Sequence, residues 1–456
     1  MKRYFFIAAM AIMAVGCQKT EIQNEVQTPI GFSTEVGKQT KAIVQNGQDG
    51  KAAYLTDQPF GVYAYGYQLE TVTDESGNQV TQRIANSTSS PMENIEISCN
   101  DNSTPTDLTD DVWSATGTVK YYWPNDPRSR LDFYAYSPAQ VTSGTAQNKH
   151  QQLTGTISHS EKESENDAEY GLILTDYVHS NMYVDFMVAT PVIGATYNDQ
   201  DGQGGTEKGL SSVPLDFKHE MTQINFVVKL DAAETTENGT TTAENKYPNV
   251  DFTVKSIVLN NIVSKATYKY NEPNVATTGL KWTPATTPNT SSYKIYPATT
   301  VAYSSQTDYP YSYGAPALTN VTNTQEDTEA TVILRTDATS RKTDPADNTK
   351  ELSTAANPGY KFSTTPVTMI PQAWLTGADV QSFTVTYEIS GEGVAKEEIV
   401  KTFNFNAATN SAHNWVANKK ITYILTIGLK EITFSPVVSN WEELSGSYVD
   451  DPSNVD

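Results

Sequence analysis

The chain has 456 residues, with 31 basic and 53 acidic side chains and a formal net charge of −22. That balance argues against nucleic-acid binding, which calls for a basic surface. Only two cysteines are present, Cys17 and Cys99, so the chain is not a disulfide scaffold and its stability has to come from apolar burial.

Twenty-six tyrosines, with abundant Thr and Val and little Leu, favour strands over helices. Met1–Gly16 reads as an export signal: Lys2 and Arg3 supply the positive start, and Tyr4–Val15 is apolar but shorter than the roughly 20 residues needed to span a bilayer. The run closes as Ala14-Val15-Gly16-Cys17, small residues ahead of a cysteine, which predicts lipidation of Cys17 and a tether to a membrane. An ordinary cleaved signal with an incidental Cys is the alternative. No later apolar run is long enough to cross a membrane, so the body is expected to be soluble.

Behind the signal, Ile30, Phe32, Thr34 and Val36 alternate with Gly31, Ser33 and Glu35, which predicts a half-buried strand. Lys41-Ala42 follows closely. Pro59–Gly66 is the next predicted strand; residues 68–110 are polar and read as a long excursion with one hairpin at most. Val119–Pro124 and Arg130–Pro138 read as two strands around the turn residues Asn125-Asp126-Pro127-Arg128. Tyr183–Ala189 is another, ended by Pro191.

Asn198–Gly209 carries four glycines and mixed charge and reads as a flexible connector. Its Asp199, Asp201, Gln203 spacing faintly suggests a calcium loop but lacks the closing Glu. Beyond it, strands are expected at Val213–Phe217, Gln223–Leu230, Phe252–Asn260, Ile262–Tyr270, Tyr293–Tyr296, Thr331–Arg335, Pro366–Pro371, Val380–Ile389, Glu397–Phe405, Lys420–Leu429 and Glu431–Phe434, with one helical turn at Ser411–Asn418. Glu442–Asp456 is an acidic tail. Many short strands separated by turn signals indicate all-β sandwiches.

Several motifs are familiar in order and spread. Trp113…Tyr121-Tyr122-Trp123-Pro124…Leu131-Asp132-Phe133-Tyr134-Ala135-Tyr136-Ser137-Pro138, Asp185–Ala189, Pro214–His219 leading into Ile224-Asn225-Phe226, Met369–Gln372, Asn414–Asn418…Tyr423–Leu425 and Val438–Trp441 together resemble the fimbrillin-like family of Bacteroidales-type lipoproteins, the type V pilins. The resemblance implies an all-β chain of two transthyretin-like Greek-key β-sandwich domains in tandem. It divides the chain into a signal peptide (1–16), a lipidated propeptide with a provisional first strand (17–41), an N-terminal sandwich (42–205) and a C-terminal sandwich with its tail (206–456). It also implies an outer-membrane, lipid-anchored precursor that a trypsin-like protease cuts between Lys41 and Ala42. The first strand then leaves, a strand from another fimbrial subunit replaces it, and the protein ends in a surface fimbria.

Catalysis has little support. His150, His159, His179, His219 and His413 are scattered, and none forms a two-His metal motif. Adjacent carboxylates such as Asp110-Asp111 point apart on a strand. No cofactor is called for. Trp113, Trp123, Trp282, Trp374, Trp415 and Trp441 could form a sugar platform, which leaves a glycan-binding surface lipoprotein as the alternative function, although such residues more often pack cores.

Overall fold

The computed structural model describes residues 28–36, most of 59–140, most of 153–197, most of 212–271, most of 280–296, and most of 332–441. Among them there is no α-helix, and the fold is all-β, as the composition indicates. Twelve strands in chain order carry the part that matters most here. They are β1 (Phe32–Val36), β2 (Phe60–Thr73), β3 (Gln79–Ala85), β4 (Met92–Asn100), β5 (Val112–Ala115), β6 (Ser129–Ser137), β7 (Thr156–Ser160), β8 (Gly171–Val178), β9 (Met187–Ala189), β10 (Val192–Ala195), β11 (Val213–His219) and β12 (Thr222–Leu230).

The first sheet closes on itself. Pairing runs β1–β5–β4–β2–β6–β9–β11 and back to β1, with β3 and β10 continuing along the edges of β2 and β6. Period-two alternation sends Phe60, Val62 and Ala64, Leu131, Phe133 and Ala135, and Val213, Leu215 and Phe217 into one enclosed core. Ile30 and Phe32 complete it from the first strand.

β6 is buried on both faces. Phe133 and Ala135 point into the ring, while Tyr134 and Tyr136 are equally covered from outside. The cover is a second sheet, in which β7 and β8 pair with Lys265–Lys269, and that strand with Trp282–Pro284. This middle layer draws residues from both halves of the chain: Tyr63, Leu174, Phe186, Tyr268, Trp282 and Ile370 share one cluster. Tyr136 lies close against Gly61, where an added Cβ would come within 2.5 Å of the ring carbon Cζ, so glycine is required at that crossing.

Two further five-stranded sheets form a sandwich. In one sheet β12 runs parallel to Lys419–Ile427, which pairs antiparallel with the edge strand Ile432–Asn440. The other sheet orders Thr290–Tyr296, Val250–Val263, Ser382–Gly391 and Val394–Asn404. Their facing sides share a core in which the Phe226, Phe383, Phe405 and Tyr423 rings meet at centroid distances of 5.3–6.0 Å.

At the junction, His219 Nδ1 at the end of β11 donates to Asp185 Oδ2 at 2.7 Å and its ring stacks on Trp441 at 4.1 Å, all three residues buried. The 205/206 position lies outside the described residues. Three strand pairings cross it, β11 with β1, β11 with β9, and Lys265–Lys269 with β8.

Several expectations need correction. Val119–Pro124 is not a strand; it is an extended arm with a single bridge at Tyr122, because its main-chain partners are the few residues ahead of β1 rather than a sheet. The 68–110 excursion contains a β2–β3 hairpin and also β4, whose Ile97 is fully buried. β8 was not anticipated. Asn414–Asn418 forms no helical turn, since Trp415 bridges Gln372 and Asn418 has φ of 61°; residues 411–413 lie outside the described set. The strand starting at Ile432 runs on through Pro436 to Asn440, which an edge strand tolerates.

Candidate functional site: the seam held by the first strand

β1 is the chain's first described strand, yet it sits inside the ring, not at an edge. On one side it runs parallel to β11, with Phe32 opposite Val213, Thr34 opposite Leu215 and Val36 opposite Phe217. Val213 N donates to Gly31 O at 2.9 Å and extends this ladder by one residue. On the other side, Phe32 meets Trp113 of β5 in an antiparallel pairing. Upstream of that point the partner changes to the 121–123 arm: Ile30 N donates to Tyr121 O at 2.8 Å, and Trp123 N donates to Thr28 O at 3.0 Å. Between these bonds Pro29 bridges Tyr122, and the proline's missing N–H is not needed there.

The side chains follow the expected alternation where they are described. Ile30 and Phe32 are buried and Ser33 is exposed. Phe32 is the deepest anchor. Its ring meets Phe60 and Phe133 edge-on, each at 6.0 Å, and Phe60 in turn packs on Trp113 at 5.0 Å and Phe217 at 5.4 Å. Burying an Ile and a Phe stabilises the seam by about 3–6 kcal/mol. Without β1, β5 and β11 would face each other across a slot lined by aromatic rings and unpaired main-chain groups. Chemically, such a slot has the groups to pair with an extended peptide.

Of the residues singled out by sequence, Ile30, Phe32, Thr34 and Val36 are thus brought together in one seam. Cys17, Lys41 and Ala42 lie outside the described residues, as does nearly all of the Asn198–Gly209 connector. Sequence reasoning did not identify the receptor side of the seam: Trp113 and the arm, Phe60, Phe133 and Val213–Phe217. The signal for it was present, since Phe60, Phe133 and Phe217 occupy the inward phase of three alternating strands, but phase alone does not say which strands become neighbours.

The tryptophans pack inward. Trp113, Trp123, Trp282, Trp415 and Trp441 are buried, and Trp374 is half-buried against Phe405 at 4.7 Å. They form no exposed platform for a sugar.

Among curated proteins none matches the chain. Among solved structures, a fimbrial protein from Bacteroides vulgatus is 16% identical with a TM-score of 0.45, the alignment covering 91% of this chain and 99% of that one. A cell adhesion protein from Bacteroides uniformis is 15% identical with a TM-score of 0.37, covering 91% and 98%. A tip fimbrial protein from Porphyromonas gingivalis is 11% identical with a TM-score of 0.26, covering 85% and 96%. These overlaps are loose, and the assignment rests on sequence: a family model described as fimbrillin-like matches residues 40–309, more than half of the chain. The chain belongs to the fimbrillin-like family.

Proposed function

We propose that this protein is a subunit of a cell-surface fimbria, exported as a lipoprotein through Cys17 and assembled by replacement of β1. Cleavage between Lys41 and Ala42 by a trypsin-like protease would sever β1 from the body of the chain, leaving it held by non-covalent bonds alone. A strand from another subunit would then take its place by β-augmentation. The observation that carries this reading is the seam itself: a short strand from the start of the described chain closes a ring between two neighbours remote in sequence.

The last strand supplies a fitting donor. Ile432-Thr433-Phe434-Ser435-Pro436-Val437-Val438 repeats the Ile-x-Phe-Ser-x-x-Val order of Ile30–Val36. That strand is an edge, paired among the described residues only with Lys419–Ile427. Its Phe434, which packs on Phe383 and Phe403 in this chain, would leave them to enter the Phe32 position of a second copy. The two-domain division belongs to the same proposal. The inward packing of the tryptophans weighs against the glycan-binding alternative.

The test is the N-terminus of the mature surface protein together with its behaviour in detergent. Ala42 as the first residue, with heat-dissociable ladders on a gel, is the expected result. A monomer still acylated at Cys17 overturns the assembly reading.

A further inference from the structure

The 117–123 arm has features that closure of the ring does not require. It leaves the sheet after β5 through Gly117, whose φ is 104°, and returns along the outside of the seam. Its root is fixed, because Trp123 is buried and packs edge-on against Phe133 at 5.8 Å. Its outer surface is open and mixes apolar with polar groups: Val119 is 61% exposed and Tyr122 is 37% exposed, with Thr118 and Lys120 exposed beside them. Among the described residues, the segment lying along it is Thr28-Pro29-Ile30, which it holds by two main-chain bonds.

Resting on the strand-replacement reading, we infer that this arm is the surface on which an incoming strand first registers. Its partner is an extended segment of another subunit, carrying a large aliphatic residue two places before an aromatic one. The Phe32 position is enclosed by Phe60, Trp113 and Phe133, so a donor's aromatic ring has to be aligned before it can enter. The arm offers that alignment at little cost. It presents one N–H and one carbonyl, Trp123 N and Tyr121 O, spaced for the residues two and four places ahead of the aromatic. Tyr122, which bridges Pro29, provides exposed apolar surface for whatever residue takes that place, and Val119 is exposed farther along the arm. Two bonds on the arm fix the register, and the aliphatic and aromatic side chains then follow into the core.

The test uses the full chain cut once at residue 41 through an engineered protease site. The severed segment is removed in mild denaturant and the protein returned to native buffer. The probe is a fluorescent peptide with the sequence of Thr28–Val36, and the readout is its second-order capture rate by anisotropy. Tyr122→Ala and Val119→Asp are expected to slow capture about five- to tenfold. Both positions are exposed, so the unfolding midpoint of the uncut protein should stay within about 1 °C. A peptide starting at Gly31 lacks the arm-bound residues and should be captured slowly, at the same rate by wild type and Tyr122→Ala. Equal capture of the long peptide by wild type and both variants overturns the role of the arm while leaving strand replacement standing. Failure of the wild type to capture any peptide overturns strand replacement, and this inference with it.

Discussion

Three side chains show how much of this protein depends on single enclosed groups. Phe32 is the anchor of β1, and truncating it to Ala should cost about 3–5 kcal/mol, read as a fall in the denaturant midpoint. Arg83 is covered almost completely; it pairs with the fully buried Asp132 at 2.7 Å, donates to Tyr67 Oη and to Lys162 O, and lies over the Tyr67 ring. Burial pushes the Asp132 carboxyl up, against the pull of Arg83 and the Gly194 N–H. Arg83→Ala should therefore destabilise by roughly 3–5 kcal/mol, because it strands a carboxylate in the interior, and the Arg83→Ala, Asp132→Asn double variant should recover part of the loss. His179 is fully buried, bonded to Tyr177 Oη and Thr368 O, and burial lowers its pKa from 6.5 to about 4 despite the Thr368 carbonyl. Between those values the unfolded chain takes up a proton that the folded chain refuses. Its contribution is complete above about pH 6.5 and is lost as pH falls toward 4, a change approaching ~3 kcal/mol. A His179→Gln variant should show a flatter stability profile across that window.

At the scale of elements, legibility followed burial pattern. β6, β11 and β12 alternate or run apolar over most of their length, and the sequence marked them closely. β4 was missed because Met92–Asn100 mixes Glu and Asn with its Ile residues, and only its pairing to β2 and β5 makes it a strand. The Val119–Pro124 segment misled in the opposite way. Its aromatic content suggested a strand, but those rings are divided between core and surface, with Trp123 inside and Tyr122 outside. For the candidate site, the donor-like half was legible, since Ile30–Val36 is contiguous and periodic. The receptor half was not, because it assembles from β2, β5, β6 and β11, whose proximity is a property of topology alone. The same logic predicts that Phe434→Ala in the last strand shortens fibres, and because Phe434 also packs on Phe383 and Phe403 the monomer should stay folded with a lowered unfolding midpoint. Shortened ladders from that variant, with near-normal near-ultraviolet circular dichroism, would be the confirming result.

Over the whole molecule, three cores are stitched in series. The ring shares β2 and β6 with the middle layer, and the middle layer shares Met221, Ile370 and Trp441 with the start of the sandwich sheets. Thr368 ties this together, its hydroxyl donating to Met182 O and Val184 O while its carbonyl meets His179. Such continuity predicts one cooperative thermal transition for the two halves, with calorimetric and van't Hoff enthalpies in agreement. Trp441→Ala should separate it into two by removing the ring that His219 stacks upon.

The direction of β1 has a mechanical consequence. Because it lies alongside β11 over five residues, a pull along its axis slides the two strands past one another and loads their ladder bonds together. A pull across the axis would break those bonds one after another. A strand seated in this orientation and drawn lengthwise by a neighbouring subunit thus meets the seam in shear, so tension along a filament would be borne by many weak bonds at once.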